Sequence, residues 1–414
     1  GMGKSCVVGV DDLEISEENK TVIYPGGELH EGDLISVDGS SGKLYRGEIK
    51  QSFTSTDESY ATIMEWAEEV SELKVRMNAE TLPDIQTGLA FGAVGIGLTR
   101  TEHMFFKAER LKEFRSFILS QKEEERQAAL DRIQAYQEED FEKIFRALDG
   151  FPANIRLLDP PLHEFLPAKD QDIELVAGQQ GISAQELKSR IHNLKEVNPM
   201  LGHRGCRLGM TSPNLYLMQA RAIMTSAIKL VQEGLEVSPE IMIPLVSTQK
   251  ELAILKEKIV AELDKMIQEA GVELAYTVGT MIEIPRACFI ADDLAQIGQF
   301  FSFGTNDLTQ MTYGFSRDDA GKFINQYIEN GVLETDPFQT IDLAGVGELV
   351  RIAVEKGRQA NPNLKIGVCG ELGGDPKSIM FFNQVGLDYV SCSPFRVPIA
   401  KIAAAQATIR KQEK

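Results

Sequence analysis

The sequence predicts an α/β protein whose main body is a closed, TIM-like (β/α)8 barrel, and three observations predict it. Short apolar stretches alternate with amphipathic helical segments along most of the chain. Nearly every stretch ends in polar residues capable of chemistry, as strands of a parallel barrel do at their carboxyl ends. The 414 residues hold one such barrel with a smaller piece beside it, since the barrel alone takes about 250 residues. An open doubly wound sheet fits less well, because its chemistry gathers at one switch point whereas here it follows the whole strand array.

Composition narrows the function. Hydrophobic residues at 43% and charged residues at 25% are those of an ordinary globular protein. No apolar run reaches the length of a membrane span, and no signal peptide is recognisable. A net charge of -19 opposes binding to nucleic acid or an anionic membrane, so phosphate chemistry here needs local arginines rather than a basic surface. Five cysteines, Cys6, Cys206, Cys288, Cys369 and Cys392, are scattered without a CxxC pair, which fits a reducing cytoplasm with the thiols buried as small hydrophobes.

In chain order, residues 1–52 form a small region with a short apolar run at Cys6–Val10 and two strands within Leu34–Gly47 around the turn Asp38–Gly42. About 50 residues with few apolar positions are marginal as an independent domain. Gly1 either precedes a start at Met2 as a tag remnant or marks a cut from a longer chain. A connecting helix spans 53–73, with Ile63, Met64, Ala67 and Val70 at helical spacing.

The barrel runs from 74 to 414. Its strand candidates are Lys74–Asn78, Ala93–Thr99, Ala153–Leu158, Ile241–Val246, Thr277–Ile284, Phe300–Gly304, Lys365–Gly370 and Tyr389–Cys392, with Met200–Leu208 a ninth that eight slots cannot take. The helices between them include a charged segment from Glu109 to Leu148, then Asn214–Glu233, Gln249–Ala270 and Asp342–Gln359.

The stretch FFSFGTNDLTQMTYGFSRDD, Phe300–Asp319, carries the clearest signal: a buried strand ends in Gly304 and delivers Thr305, Asn306 and Asp307 to the working face. Asn306 and Asp307 either contact ligand there or cap the following helix. Arg100, Arg156 and Arg204 close three further segments. Each is either a fork for phosphate or carboxylate oxygens or one half of an ion pair, and their convergence favours the fork. Glu283 and Asp307, on neighbouring strands, suit Mg²⁺, which takes one or two protein carboxylates; alternatively Glu283 pairs with Arg286 or another arginine.

Cys369 in GVCGELGGDP is either a core thiol or a proton donor to a carbanion-like centre, with Gly367 and Gly370 letting a ligand approach. None of the five histidines reads as a nucleophile. His103, His163 and His203 sit beside candidate groups, His192 lies in a charged helix, and His30 lies in a turn-rich segment.

Taken together, RTEHMFF, LLDPPLHEFLP, NPMLGHRGCRLG, MIPLV, GTMIEIPRA, FFSFGTNDLTQMTYGFSRDDAGKF, GVCGELGGDP and YVSCSPFRVPIA resemble the phosphoenolpyruvate-utilising enzymes, in their pyruvate phosphate dikinase branch. The resemblance covers the whole chain and matches the carboxyl-terminal portion of that family. It implies that Arg100, Arg156 and Arg204 grip the phosphoryl and carboxylate groups of phosphoenolpyruvate (PEP). Glu283 and Asp307 would hold Mg²⁺ and line the substrate with Gly304, Thr305 and Asn306. Cys369 would be the acid/base at the methyl carbon of pyruvate. A phosphohistidine-bearing domain or chain and a homodimer are the implied partners, and residues 1–52 would be a remnant of the phosphohistidine domain.

Two departures from the family pattern bear on function. The accepting histidine lies in the family just before the segment matching GMGK, and the nucleotide-binding domain is likewise outside this chain, so a complete dikinase cycle is not expected of it alone. Leu372 stands where the dikinase pattern has histidine after GE. The chain is therefore either the PEP/pyruvate half-site of a dikinase or a non-catalytic PEP-binding or regulatory relic, and the intact set of site residues favours the half-site.

Overall fold

The computed structural model describes residues 13–412 except 18, 39–41 and 50–57. The apolar run at Cys6–Val10 and the tip of the 38–42 turn lie outside the described residues. The chain divides into two compact units, 1–63 and 64–414.

In the first unit, strands Glu14–Ser16, Thr21–Tyr24 and Gly27–His30 form an antiparallel sheet, and Ile35–Asp38 pairs with Lys43–Arg46 as a hairpin. The hairpin matches the two strands expected within Leu34–Gly47. His30 is the last residue of its strand and is exposed. No described residue of this unit's sheets is fully buried, so its strands rest on backbone pairing with little apolar burial. Within residues 53–73 a helix covers Glu58–Val70.

The second unit is a closed barrel of eight parallel strands. They are β1 (Lys74–Asn78), β2 (Ile96–Arg100), β3 (Pro152–Arg156), β4 (Ser238–Ile243), β5 (Thr277–Ile282), β6 (Phe300–Gly304), β7 (Lys365–Cys369) and β8 (Tyr389–Cys392). Each pairs with the next, and β8 closes on β1. The ladder sets the site: Arg100 lies opposite Arg156, Ile282 opposite Phe303, and Gly304 opposite Cys369. Buried on both faces, these strands read as near-continuous apolar runs, which is why the sequence displayed them.

The ninth candidate, Met200–Leu208, is not a strand. A helix covers Cys206–Thr211, and Gly205 before it has φ 58° and ψ −136°, a conformation glycine alone adopts readily. The segment is part of the long crossover between β3 and β4, and it carries Arg204 to the mouth from outside the sheet.

Around the barrel, α1 (Ala108–Leu119) and α2 (Glu123–Leu148) replace the single helix expected from Glu109 to Leu148. Ser120 and Lys122 are extended, and the chain turns there so that Phe117 and Leu119 on one helix and Leu130 and Ile133 on the other all face the core. α3 (Pro213–Gln232) and α4 (Gln249–Ala270) follow expectation within one residue, α4 starting on a Thr248–Glu251 capping box.

A phenylalanine cluster fixes two of the mouth loops. Phe105 stacks on Phe114 at 4.5 Å between ring centroids, and Phe165 meets Phe114 edge-on at 4.7 Å. Such pairs contribute about 0.5–1.5 kcal/mol each beyond burial. They tie the loop after β2 to the loop after β3, and so bring Glu102 beside Arg156.

The barrel interior also holds a charge network that the sequence reading did not anticipate. Arg76 NH1 donates to Glu240 Oε2 at 2.7 Å, Lys365 Nζ reaches Glu240 Oε1 at 2.9 Å, and the Arg76 guanidinium lies 4.1 Å from the centre of the Tyr389 ring. Gly367 makes room for that ring, because a side chain at 367 would collide with it. That glycine serves the barrel interior rather than the approach of a ligand.

Candidate active site at the barrel mouth

Five of the eight strands, β2, β3, β5, β6 and β7, deliver the candidate groups at their carboxyl ends or in the loops that follow. Arg100 ends β2 and Arg156 ends β3, and the register places them side by side. Two adjacent guanidiniums repel unless anions separate them. Here Glu80 Oε1 lies 3.6 Å from Arg100 NH1, while Glu102 and Asp159 both pair with Arg156, the latter at 2.9 Å.

Asp159 is the hub. Its Oδ2 also accepts from Arg204 NH2 at 2.6 Å and its Oδ1 from Arg204 Nε at 3.3 Å, and Arg204 NH1 continues to Asp307 Oδ1 at 2.9 Å. Burial alone would raise the Asp159 carboxyl, but Arg156 and Arg204 outweigh it and hold Asp159 below the ordinary range. This buried chain, Arg156 to Asp159 to Arg204 to Asp307, fixes two of the three predicted arginines in the barrel mouth. Arg100 keeps about a third of its side chain exposed.

Glu283 follows β5 and is 1% exposed. Its Oε1 accepts the Leu245 N–H at 2.7 Å, and its Oε2 has no hydrogen-bond partner among the described residues. Burial, with Asp307 and then Asp159 adding repulsion, pushes this carboxyl well above its ordinary range. Glu283 is not paired with Arg286, which donates to the Ser247 carbonyl instead. A side chain at Gly304 would place its Cβ 2.6 Å from Glu283 Oε2, so that oxygen has room only because residue 304 is glycine.

The helix α5 (Thr305–Tyr313) starts with no side-chain cap. Asp307, mostly buried and raised by that burial, is turned to Arg204, and the capping alternative for it is not what forms. Thr305 is buried with its Oγ1 unpartnered, and Asn306 is half-buried beside it. Across the ladder, Cys369 is 2% exposed with Sγ 3.6 Å from the Phe303 carbonyl. Burial raises this thiol; Arg100 and Arg156 act on it in the opposite sense, and Glu283 in the same.

Three guanidiniums therefore face five carboxylates, Glu80, Glu102, Asp159, Glu283 and Asp307. Four polar atoms at this one mouth, Glu102 Oε2, Arg156 Nε, Glu283 Oε2 and Thr305 Oγ1, are buried without a partner among the described residues. Buried polar groups are nearly always satisfied, so a cluster of open ones marks a place prepared for a polar ligand.

A family model described as "PEP-utilising enzyme, PEP-binding domain" matches residues 55–409. The chain belongs to this family. It is 50% identical over 413 residues to a pyruvate, phosphate dikinase of Clostridium symbiosum, covering 100% of this chain and 47% of that protein. It is 50% identical over 412 residues to pyruvate, phosphate dikinase 2 of Oryza sativa subsp. japonica, covering 99% and 46%. Against the chloroplastic pyruvate, phosphate dikinase 1 of Arabidopsis thaliana it is 50% identical over 411 residues, covering 99% and 43%. The chain thus spans a little under half the length of these relatives.

The remaining features of this PEP-binding domain are supporting ones. His103 Nδ1 stands 3.7 Å from Glu80, whose hydrogen bond raises the imidazole, while His203 Nε2 meets Thr211 Oγ1 at 2.7 Å. His163 is lowered by burial, and His192 lies in the helix Ala184–Leu194. Leu372 is 1% exposed and packs in the main core. Glu102 and Asp159 were missed by sequence reasoning although they follow Arg100 and Arg156 by two and three residues in RTE and RLLD. Acids that close to candidate arginines are the signal that could have found them.

Proposed function

We propose that this mouth binds PEP and pyruvate and passes a phosphoryl group between the pyruvate enolate and a phosphohistidine carried by another domain or chain, the half-reaction of a pyruvate phosphate dikinase. The observation that carries this reading is the cluster of unpartnered buried polar atoms lying among three arginines and beside a buried thiol.

In this reading Arg100 offers an open fork, and Arg156 offers Nε while its other nitrogens are held by Glu102 and Asp159. Pre-positioned guanidiniums of this kind stabilise phosphoryl charge without reorganising. Thr305 and Asn306 line the substrate. When the phosphorus–oxygen bond of PEP breaks, the phosphoryl group leaves for the histidine nitrogen and the electron pair stays on the enolate. Cys369, kept as a thiol by burial, then gives its proton to the enolate carbon and becomes a thiolate; in the reverse direction that thiolate removes a methyl proton from pyruvate.

Glu283 and Asp307 fit Mg²⁺ in their hard oxygen chemistry and in the open Oε2 of Glu283. Two carboxylates are enough for such an ion, which takes one or two protein oxygens and completes its shell with substrate and water. When bound, Mg²⁺ supplies positive charge for the enolate and phosphoryl oxygens. It also offsets the excess of carboxylates, which would otherwise repel a phosphate ester. The reading includes a homodimer in a reducing cytoplasm, where Cys206, Cys288, Cys369 and Cys392 stay the free buried thiols they are here.

Enolisation tests this function without a phosphohistidine. The chain with Mg²⁺ should exchange the methyl protons of pyruvate with deuterium from solvent, followed by proton NMR. A folded chain that binds pyruvate but never catalyses exchange would instead support the non-catalytic relic.

A further inference from the structure

Leu245 is the outlier of the backbone. Among the described residues three non-glycine positions have positive φ, namely Lys20, Asp149 and Leu245. Lys20 lies in an exposed turn, and Asp149 ends α2 in the left-handed form that closes many helices. Leu245, at φ 60°, is apolar and wholly buried, two residues past the end of β4. In this region the Cβ of an L-residue crowds the following carbonyl oxygen, so a side chain is disfavoured there. It persists only where the surroundings over-determine it, and such residues cluster at functional sites.

Its surroundings do over-determine it. The Leu245 N–H donates to Glu283 Oε1 at 2.7 Å, and the Leu245 carbonyl accepts from Cys206 Sγ at 3.2 Å. The Cys206 N–H donates to the Pro244 carbonyl at 3.0 Å, and the Gly205 N–H to the Asp159 carbonyl at 2.8 Å. A side chain at Gly205 would stand 2.6 Å from Leu245 Cβ and 3.2 Å from Asp159 Oδ1. One buried junction therefore joins the loop after β4, the turn that carries Arg204, the hub carboxylate Asp159 and Glu283.

The left-handed turn at 245 aims a backbone donor at one Glu283 oxygen and leaves the other, Oε2, as the unpartnered atom. We propose that Leu245 is a positioning residue: its strained backbone fixes Glu283 through Oε1 and thereby commits Oε2 to the divalent cation. This rests on the metal reading given above and concerns a residue that acts through Glu283. A buried N–H needs some acceptor in any fold. What distinguishes this one is that the acceptor is an oxygen of the candidate ligand, reached through a conformation a leucine disfavours.

The test uses Mn²⁺ as probe, titrated into the full chain with PEP present and followed by the electron paramagnetic resonance signal of free Mn²⁺. Replacing Leu245 by its α-hydroxy acid turns the amide into an ester, removing the N–H and keeping the side chain. Mn²⁺ affinity should fall about 10–100-fold, as for other groups that orient a metal ligand. Leu245→Val, whose branched Cβ resists positive φ, should weaken Mn²⁺ as much, and Leu245→Gly should stay close to the parent despite removing more volume and lowering Tm. A role in packing alone gives the opposite order. Unchanged affinity in the ester variant overturns the proposal, and the ester decides if Leu245→Val does not fold. Glu283→Gln in the same assay should lose Mn²⁺ binding; if it does not, the metal reading itself fails, and with it this inference.

Discussion

Arg204 donates to both carboxylate oxygens of Asp159, Nε to Oδ1 at 3.3 Å and NH2 to Oδ2 at 2.6 Å, and Asp159 Oδ2 accepts Arg156 from its other side. One aspartate thus holds Arg156, three residues before it at the end of β3, and Arg204, 45 residues after it in the crossover. Asp159→Ala should cost about 3–5 kcal/mol of stability, because two buried guanidiniums lose their shared counter-charge. Asp159→Asn keeps the shape but not the charge, and should weaken PEP binding by letting both forks reorient. Urea denaturation and PEP titration read the two effects separately.

Cys369→Ala should abolish deuterium exchange at the pyruvate methyl and leave PEP binding intact, since in the proposed reading the thiol serves only as proton donor. Exchange at the parent rate would remove its acid/base role. Because burial raises the thiol above its ordinary value, Cys369 should also be alkylated more slowly than a free cysteine at pH 8, with mass spectrometry of iodoacetamide-treated chain as the check.

Glu283 carries a testable sign. Its carboxyl is raised in the folded chain, so its stability contribution is full below the unfolded value of about 4.3 and is lost as pH rises through the folded value. In metal-free buffer, Glu283→Gln should raise Tm at neutral pH and lose that advantage below about pH 4. Mn²⁺ affinity of the parent should fall as pH falls into the window where Glu283 holds its proton. A Tm for Glu283→Gln below the parent at neutral pH would contradict this account.

The interior network has the reverse sign. Burial would raise Glu240, but Arg76 and Lys365 outweigh it and hold the carboxyl low. Its contribution is therefore present at neutral pH and is lost as pH falls through the folded value. Glu240→Gln should cost about 3–5 kcal/mol at pH 7, while the activity of each folded molecule stays unchanged.

Much of this molecule was legible because barrel strands buried on both faces declare themselves as apolar runs that stop at chemistry. Eight of nine candidates became strands. The ninth, Met200–Leu208, also mixes apolar residues with arginines, but Gly205 at positive φ and its place in the β3–β4 crossover make it a loop and a helix. The break at Ser120–Lys122 was hidden in the same way, since neither glycine nor proline marks it. At the mouth, residue type and strand position brought out Arg100, Arg156, Arg204, Glu283, Asp307 and Cys369. They did not bring out Glu102, Asp159 or the Leu245 amide, because an ion-pair hub depends on which loops meet and a backbone donor has no letter in the sequence.

The most direct measurement is calorimetric titration of the folded chain with PEP, with and without Mg²⁺. The account expects saturable, one-to-one binding that requires Mg²⁺ and is lost in Glu283→Gln. Binding of equal strength without the metal, or no binding under either condition by a chain whose circular dichroism shows the barrel intact, would contradict it.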